Sequence, residues 1–362
     1  MQWTVFLGEG SYSTWEEKVA ELGSKGAGLD EMMSLGIPVP PGFTIRTEAC
    51  RHFLQKNTFP QGLEQEIEYQ MSRLEKVLGK KFGDVHQPLL ISIRSGAPVS
   101  MPGMMDTILN LGLTEEIAEN LARSTGNARF IYDAYRRFLQ MMGKVVLSVH
   151  GSLFESALEK MKEKKRVQLD VQLSADDLRE LCHQFVRIIE KETGNPFPQN
   201  PQEHLYMAIK AVFHSWNNER ARAYRKLYKV SDTIGTAVNI VSMVFGNLGE
   251  HSGTGVAFTR DPATGERRLY GEFLPNAQGE DVVAGIRTPF PLSARDLQPG
   301  QTMCLETWMP DAYEELQKSA EKLERHFRDM QDIEFTIEEG KLWLLQTRTG
   351  KRSPRAKVVI AA

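Results

Sequence analysis

The sequence predicts a mixed α+β protein built from two or three subdomains, and three observations carry that prediction. The chain has 362 residues, more than one hydrophobic core usually organises. Between residues 114 and 230 the apolar positions recur at helical spacing. After residue 231 the period changes to two, the mark of strands. Composition is that of an ordinary globular chain, 41% hydrophobic and 25% charged. A net charge of -3 offers no bulk attraction to nucleic acid or to an anionic membrane. Cys50, Cys182 and Cys304 form no CxxC pair, which argues against a zinc ribbon or a disulfide framework and fits a reducing cytoplasm. The N-terminal stretch carries acids and no long apolar run, unlike a signal peptide. No window approaches the roughly 20 apolar residues that span a bilayer.

In chain order, residues 1 to about 112 mix short strands and helices. Residues 15–22 read as a helix, 23–28 (GSKGAG) as a turn and 29–35 as a second helix. Glycines before a helix let backbone N–H groups approach an anion, and Lys25 would add a point charge for phosphate oxygens. The turn is neither GxxxxGK[ST] nor GxGxxG, and a tight loop with an exposed lysine fits it as well. Residues 36–42 (GIPVPPG) break the helix and lead into a strand over 43–46. The apolar run 89–93 reads as a buried strand delivering Arg94, whose planar fork suits either a phosphate or a core carboxylate. Residues 97–107, rich in Pro, Gly and Met, form no regular element. Helices are expected from Thr114, over 127–149 and 152–164, from a Ser174 cap to about 193, and over 203–228. In the second of these, one of Arg136 and Arg137 faces the apolar side and needs an anionic partner. The basic end of the last helix (Arg220, Arg222, Arg225, Lys226, Lys229) reads as a solvated face.

Strands are expected over 237–245, 256–259 and 269–274. Residues 246–255 would form a glycine-rich turn joining the first two as an antiparallel pair. Its four glycines, with Ser252 and Thr254, can lay N–H and O–H donors over a polyphosphate. His251 within it reads as a solvent-exposed loop residue. An amphipathic helix over 310–330 leads into a hairpin. There Asp332, Glu334 and Thr336 alternate with Ile333, Phe335 and Ile337, so two carboxylates project from one side of a strand. Mg2+ takes one or two carboxylates and completes its shell with water and phosphate. A solvated strand face is the plainer alternative. A three-residue loop, Glu338-Glu339-Gly340, would put Gln346 across from Asp332, whereas a two-residue loop would turn it to the opposite face. The tail after Arg348 reads as a linker or frayed end. The pieces describe a nucleotide held by two lobes, with the neutralisation and positioning that phosphoryl transfer demands.

RSGAPVSMPGMMDTILNLGL, VFGNLGEHSGTGVAFTRDPATGE, LPNAQGEDVVAGIRTP and DIEFTIEEGKLWLLQTRTGKR, in that order, closely resemble the N-terminal ATP-binding domain of the pyruvate, phosphate dikinases. The resemblance covers about residues 23–352. It implies an ATP-grasp fold of two lobes with a helical subdomain inserted in the first. Residues 1–112 would be the first lobe, 113–200 the helical insert, 201–350 the second lobe with the glycine-rich loop and metal-binding hairpin, and 351–362 a linker or tail. ATP and Mg2+ are the implied cofactors. The β-phosphate would go to a histidine on a separate phosphohistidine domain, in cis or in trans, and the γ-phosphate to inorganic phosphate. A cytoplasmic chain with no nucleic-acid or membrane partner is expected, and a homodimer is compatible.

Carried over by motif, the resemblance implies that Lys25 and Arg94 contact ATP phosphates and that Arg137 assists at the γ-phosphate or inorganic phosphate. It implies that Asp332 and Glu334 hold Mg2+, with Gln346 and Arg348 completing the phosphate end. Ser252, Gly253, Thr254 and Gly255 would cover the phosphates, adenine would lie near residues 242–244, and Glu272 and Gln278 would join the nucleotide pocket. Arg94, Arg137 and Arg348 are the implied catalytic groups. Pro98 and His251 depart from the family pattern. The sequence has no TSHAA-type phosphohistidine motif and no barrel with a catalytic cysteine, so only the ATP half-reaction is expected of it. Two other readings are a nucleotide-sensing module without turnover and a phosphoenolpyruvate-synthase-like dikinase. The VFGN…SGTGVAFTR and NAQGEDVVAG wording argues against the latter.

Overall fold

A computed structural model describes residues 2–101, 103–284 and 287–361, so the motifs that cross Pro102 and residues 285–286 lie outside the described residues at those points. The chain is α+β, with two five-stranded antiparallel sheets, one in each of two compact units. One unit takes the N-terminal residues through Phe6 with 10–26 and 41–243, and the other takes 7–9, 27–40 and 244–362.

In the first unit, β1 (Thr4–Phe6), β2 (Gly42–Ile45), β3 (Ile91–Gly96), β4 (Thr107–Leu111) and β5 (Ala237–Ser242) pair in the order β1-β2-β5-β3-β4. Pairing on both sides of β5 is what draws residues 237–242 into this unit. Thr44, Asn239, Arg94 and Thr107 form one cross-strand row. β3 runs through Arg94 to Gly96, where the sequence suggested a strand ending at 93. Its neighbours Ile91 and Ile93 are fully buried with Phe43, Val238 and Ile240.

Helix α1 (Trp15–Ser34) is broken only at Gly23 (φ 69, ψ 166), so the turn expected over 23–28 shrinks to one residue and Lys25 is helical. A Cβ at Gly23 would lie 1.6 Å from the Gly96 carbonyl oxygen. The next residue locks the contact, with Ser24 N and Oγ both donating to Ala97 O at 3.0 and 2.9 Å.

The remaining helices of this unit are α2 (Thr47–Lys56), α3 (Leu63–Leu78), α4 (Glu115–Ser124), α5 (Ala128–Met141), α6 (Gly151–Lys165), α7 (Ala175–Thr193), α8 (Pro201–Ser215) and α9 (Glu219–Tyr228). Thr114, Asn127, Ser174, Asn200 and Asn218 cap the helices that follow them. Two expected helices are each cut short. After α5 a wide turn, Met142–Val146, takes over, and a Cβ at Gly143 there would come 2.4 Å from the Phe154 ring. The Asn218 cap splits the expected 203–228 helix into α8 and α9. On α9 one cation leaves the solvated face. Arg225 is buried over the Trp216 ring and donates to Asp232 Oδ1 at 2.7 Å.

In the second unit, β6 (Gly253–Phe258), β7 (Tyr270–Pro275), β8 (Phe290–Pro291), β9 (Gln331–Glu338) and β10 (Lys341–Thr349) pair in the order β10-β9-β6-β7-β8. The helices are α10 (Gly279–Ala284), α11 (Leu305–Trp308), α12 (Pro310–Phe327) and α13 (Pro354–Ala361). One face of the sheet is apolar. Ile333, Phe335, Ile337, Leu342, Leu344, Ala257 and Phe273 are fully buried, and α12 contributes Leu316, Ala320 and Leu323. The tail is not a frayed end. Ser353 bonds Pro262 O (2.9 Å) and Ala263 O (2.7 Å), and Ala356 of α13 is fully buried. Among the described residues no helix is long and apolar enough to cross a membrane.

Candidate functional site

The polar face of the second sheet gathers five of the candidate residues. β9 and β10 are joined by a two-residue turn, Glu339 (φ 48) and Gly340 (φ 81), the backbone of a tight hairpin. A regular ladder from that turn would send Gln346 to the apolar face. The register shifts between Leu344 and Gln346, however, leaving Leu345 as a bulge residue. Leu344 N, at this edge, donates to Pro38 O at 2.8 Å. Beyond the bulge Gln346 lies opposite Glu334, and Arg348 lies opposite Asp332. Gln346 therefore reaches the carboxylate side, but beside Glu334 and not across from Asp332. On the next strands Val256 and then Glu272 continue the Glu334 row, so Glu272 shares this face.

Arg348 donates to a single oxygen, Asp332 Oδ2, through Nε (2.8 Å) and Nη2 (2.7 Å). Asp332 and Gln346 are buried, whereas the Arg348 side chain is 47% exposed. Two carboxylates and an amide oxygen on adjacent rows, about 7 Å apart along the strand, make a hard oxygen donor set. Among the described residues no three His, Cys, Asp or Glu side chains cluster as a protein-only cage would need. The donor set fits a cation such as Mg2+, which keeps water and phosphate among its ligands.

The glycine-rich segment differs from expectation. Its two flanking strands, β5 and β6, belong to different sheets, so it is not a hairpin turn. Gly253, Thr254 and Gly255 lie within β6, leaving residues 243–252 as the connection. A Cβ at Gly255 would meet Glu272 O at 2.4 Å and the Phe335 ring at 2.7 Å, so close packing requires glycine here. Thr254 Oγ1 donates to Phe335 O at 3.0 Å, and Ser252 Oγ accepts from Glu339 N at 3.0 Å. Both hydroxyls serve the fold. An open cleft of about 330 Å³ runs beside this segment, lined by Gly249, His251, Ser252, Pro310, Asp311 and Gly340. His251 is exposed there. Gln278 is buried at the start of α10, with Nε2 on Asn247 Oδ1 (3.2 Å) and no hydrogen-bond partner for Oε1.

In the first unit, Gly26 sits against Thr44 Oγ1 and Asn239 Oδ1, with a hypothetical Cβ at 3.0 and 2.5 Å. These side chains belong to the Arg94 row, so the helix that carries Lys25 packs through Gly26 on that face of the first sheet. Arg137 stands on α5, where the buried Asp133 binds two arginines. Oδ1 accepts from Arg136 Nε (3.1 Å) and Nη2 (2.6 Å), and Oδ2 accepts from Arg137 Nε (3.0 Å). Arg136 is the buried cation that the sequence required of the pair. Burial alone would raise the Asp133 carboxyl pKa, but the two guanidiniums outweigh it and hold the group well below the usual carboxylate range. Asp133 was not among the expected site residues, although its i, i+3 and i+4 spacing to two arginines is visible in the sequence. Ser242 and Met243 close the first unit and Val244 opens the second.

The family model described as pyruvate phosphate dikinase, AMP/ATP-binding domain, matches residues 19–76, 58–298 and 301–362. The chain is 51% identical over 363 residues to pyruvate, phosphate dikinase of Rhizobium meliloti, which covers 99% of this chain and 40% of that protein. It is 54% identical to the Clostridium symbiosum protein of that name (94% of this chain, 38% of the relative). It is 52% identical to the chloroplastic protein of Flaveria trinervia (94% and 35%). The chain thus spans well under half the length of these relatives. With the family model matching nearly all of it, the chain belongs to the pyruvate phosphate dikinase AMP/ATP-binding domain family.

Proposed function

We propose that this chain is an ATP-grasp domain that binds Mg-ATP and serves the ATP half-reaction of a pyruvate, phosphate dikinase. The observation that carries the proposal is the polar face of the second sheet. There the Leu345 bulge sets Gln346 beside Glu334 and Arg348 beside Asp332. Asp332 and Glu334, with the Gln346 amide, would hold Mg2+, which when bound neutralises and orients the phosphate oxygens. Arg348 balances the Asp332 carboxylate and lends positive charge to the phosphate end. Lys25 and Arg94 supply further cations for the polyphosphate, and Arg137 a planar donor set for the γ-phosphate or for inorganic phosphate. The remaining steps are those the resemblance to the pyruvate, phosphate dikinases implies. A neutral histidine nitrogen on a phosphohistidine domain attacks the β-phosphorus, the α–β bridge breaks and AMP leaves. Inorganic phosphate takes the γ-phosphoryl group as pyrophosphate, leaving the β-phosphoryl on the histidine.

Titration calorimetry of the full chain with Mg-ATP tests the binding half. Glu334→Gln is expected to cut Mg-dependent ATP affinity at least tenfold while leaving the melting transition in place, the loss of one charged ligand. Wild-type affinity in that variant would remove Glu334 from the site. Adding phosphate and an isolated phosphohistidine domain tests the chemistry. AMP and pyrophosphate are expected, and ATP binding without either product would leave a nucleotide-sensing module instead.

A further inference from the structure

The geometry assigns Asp133 as a positioning residue that orients Arg137 toward phosphate, with Arg136 as its buried counter-charge; this rests on the phosphate role proposed for Arg137. Asp133, Arg136 and Arg137 follow one another on α5 at i, i+3 and i+4, so both arginines rise from the same side of the helix as the carboxylate. The two oxygens divide the work. Oδ1 takes both contacts from Arg136, and Oδ2 takes Nε of Arg137 at 3.0 Å.

Arg136 meets a second carboxylate through the same nitrogen. Its Nη2 lies 3.5 Å from Asp170 Oδ2, and Asp170 is itself 3.4 Å from Lys162 Nζ. Arg129 holds that same segment through Asp170 O (2.9 Å) and Leu173 O (3.0 Å). A continuous train therefore runs from residues 170–173 through Arg136 and Asp133 to Arg137. Side-chain exposure is 3% for Arg136, 6% for Asp133 and 13% for Arg137, with Asp170 at the other end 33% exposed. Arg136 is too enclosed to meet a nucleotide, so its charge is spent on holding Asp133. Arg137 is held by Asp133 through Nε, which fixes the plane of the guanidinium. A second buried arginine is a costly way to stabilise a helix, because each buried charge must be desolvated. It is an effective way to keep one carboxylate ionised and immobile behind a phosphate-binding arginine.

The test uses the full chain and two probes, Mg-ATP and AMP, which lacks the β- and γ-phosphates. Affinities come from calorimetry and folding from the thermal midpoint. Arg137→Met reads the underlying assignment and is expected to weaken ATP about tenfold and AMP less than twofold. The double variant Asp133→Asn/Arg136→Met removes the buried charges together, so the fold is expected to survive. It should reproduce the ATP-specific loss of Arg137→Met with the midpoint retained. A purely structural role would move ATP and AMP alike. If the double variant does not fold, Asp133→Glu keeps every charge and displaces the carboxylate by one methylene, and the ATP-to-AMP affinity ratio should fall about fivefold. An unchanged ratio in the folded double variant or in Asp133→Glu, with Arg137→Met impaired, overturns the inference. Wild-type ATP affinity in Arg137→Met would instead overturn the phosphate role of Arg137 itself.

Discussion

Gly255→Ala separates two explanations for the glycines around residue 250. If they are there for close approach of a polyphosphate, alanine should damage binding and leave the fold alone. The structure argues otherwise for Gly255. An added Cβ would meet Glu272 O at 2.4 Å, Phe335 Cζ at 2.7 Å and Phe273 Cβ at 2.9 Å, where ordinary contact begins at 3.4 Å. The neighbours would have to withdraw by the difference, from 0.5 Å for Phe273 to 1.0 Å for the Glu272 oxygen. That oxygen belongs to β7, which is paired with β6, and both rings are fully buried, so none can give freely. Overpacking a close-packed interior costs about 1–3 kcal/mol, and two rigid neighbours place this case near the upper end, at about 2–3 kcal/mol. Gly249→Ala is the control. Nothing lies within 4 Å of a Cβ there, and its stability should stay within about 0.5 kcal/mol. Thermal and urea midpoints followed by circular dichroism read the fold, and calorimetry with Mg-ATP reads binding. An unshifted midpoint in Gly255→Ala together with lost ATP affinity would refute the packing argument.

Gly23→Ala should be more damaging, at least about 3 kcal/mol, since it combines a left-handed backbone with a Cβ 1.6 Å from Gly96 O; a variant that melts like wild type would show that the break in α1 can be rebuilt. His204 gives a pH dependence. Burial lowers its pKa from 6.5, partly offset by the bond of Nε2 to Pro198 O (2.7 Å). The unfolded chain therefore takes up the proton first as pH falls. The stability of the neutral buried ring is complete above 6.5 and is lost as pH drops from there toward the folded value. Replacing the ring by His204→Gln should flatten the loss of melting temperature between neutral pH and about pH 5.5, and an unchanged slope would assign it to other groups.

What the sequence reveals and what it hides follow from the range of each interaction. Capping and periodicity are local, so α7, with its Ser174 cap, and the alternation of β9 are legible. Strand partnership is not local. Nothing in residues 237–258 says that β5 joins one sheet and β6 another, and the glycines between them look the same whether they face a ligand or a phenylalanine ring. The need for a buried partner to Arg136 or Arg137 was readable, whereas choosing Arg136 required the packing of α5.

The hairpin shows how a local rule can give the right face through the wrong register. A three-residue loop without a bulge pairs Gln346 with Asp332. The two-residue loop with one bulge pairs it with Glu334. These registers differ by two residues on the partner strand, and side chains alternate with a period of two, so both leave Gln346 on the carboxylate side. The run Leu342-Trp343-Leu344-Leu345 has no polar member to mark which residue is doubled, so the bulge is silent in the sequence. The consequence is chemical. The bulge puts Arg348 opposite Asp332 and within hydrogen-bond reach of Oδ2. The unbulged register would instead have set the amide there and moved the guanidinium one pair further along.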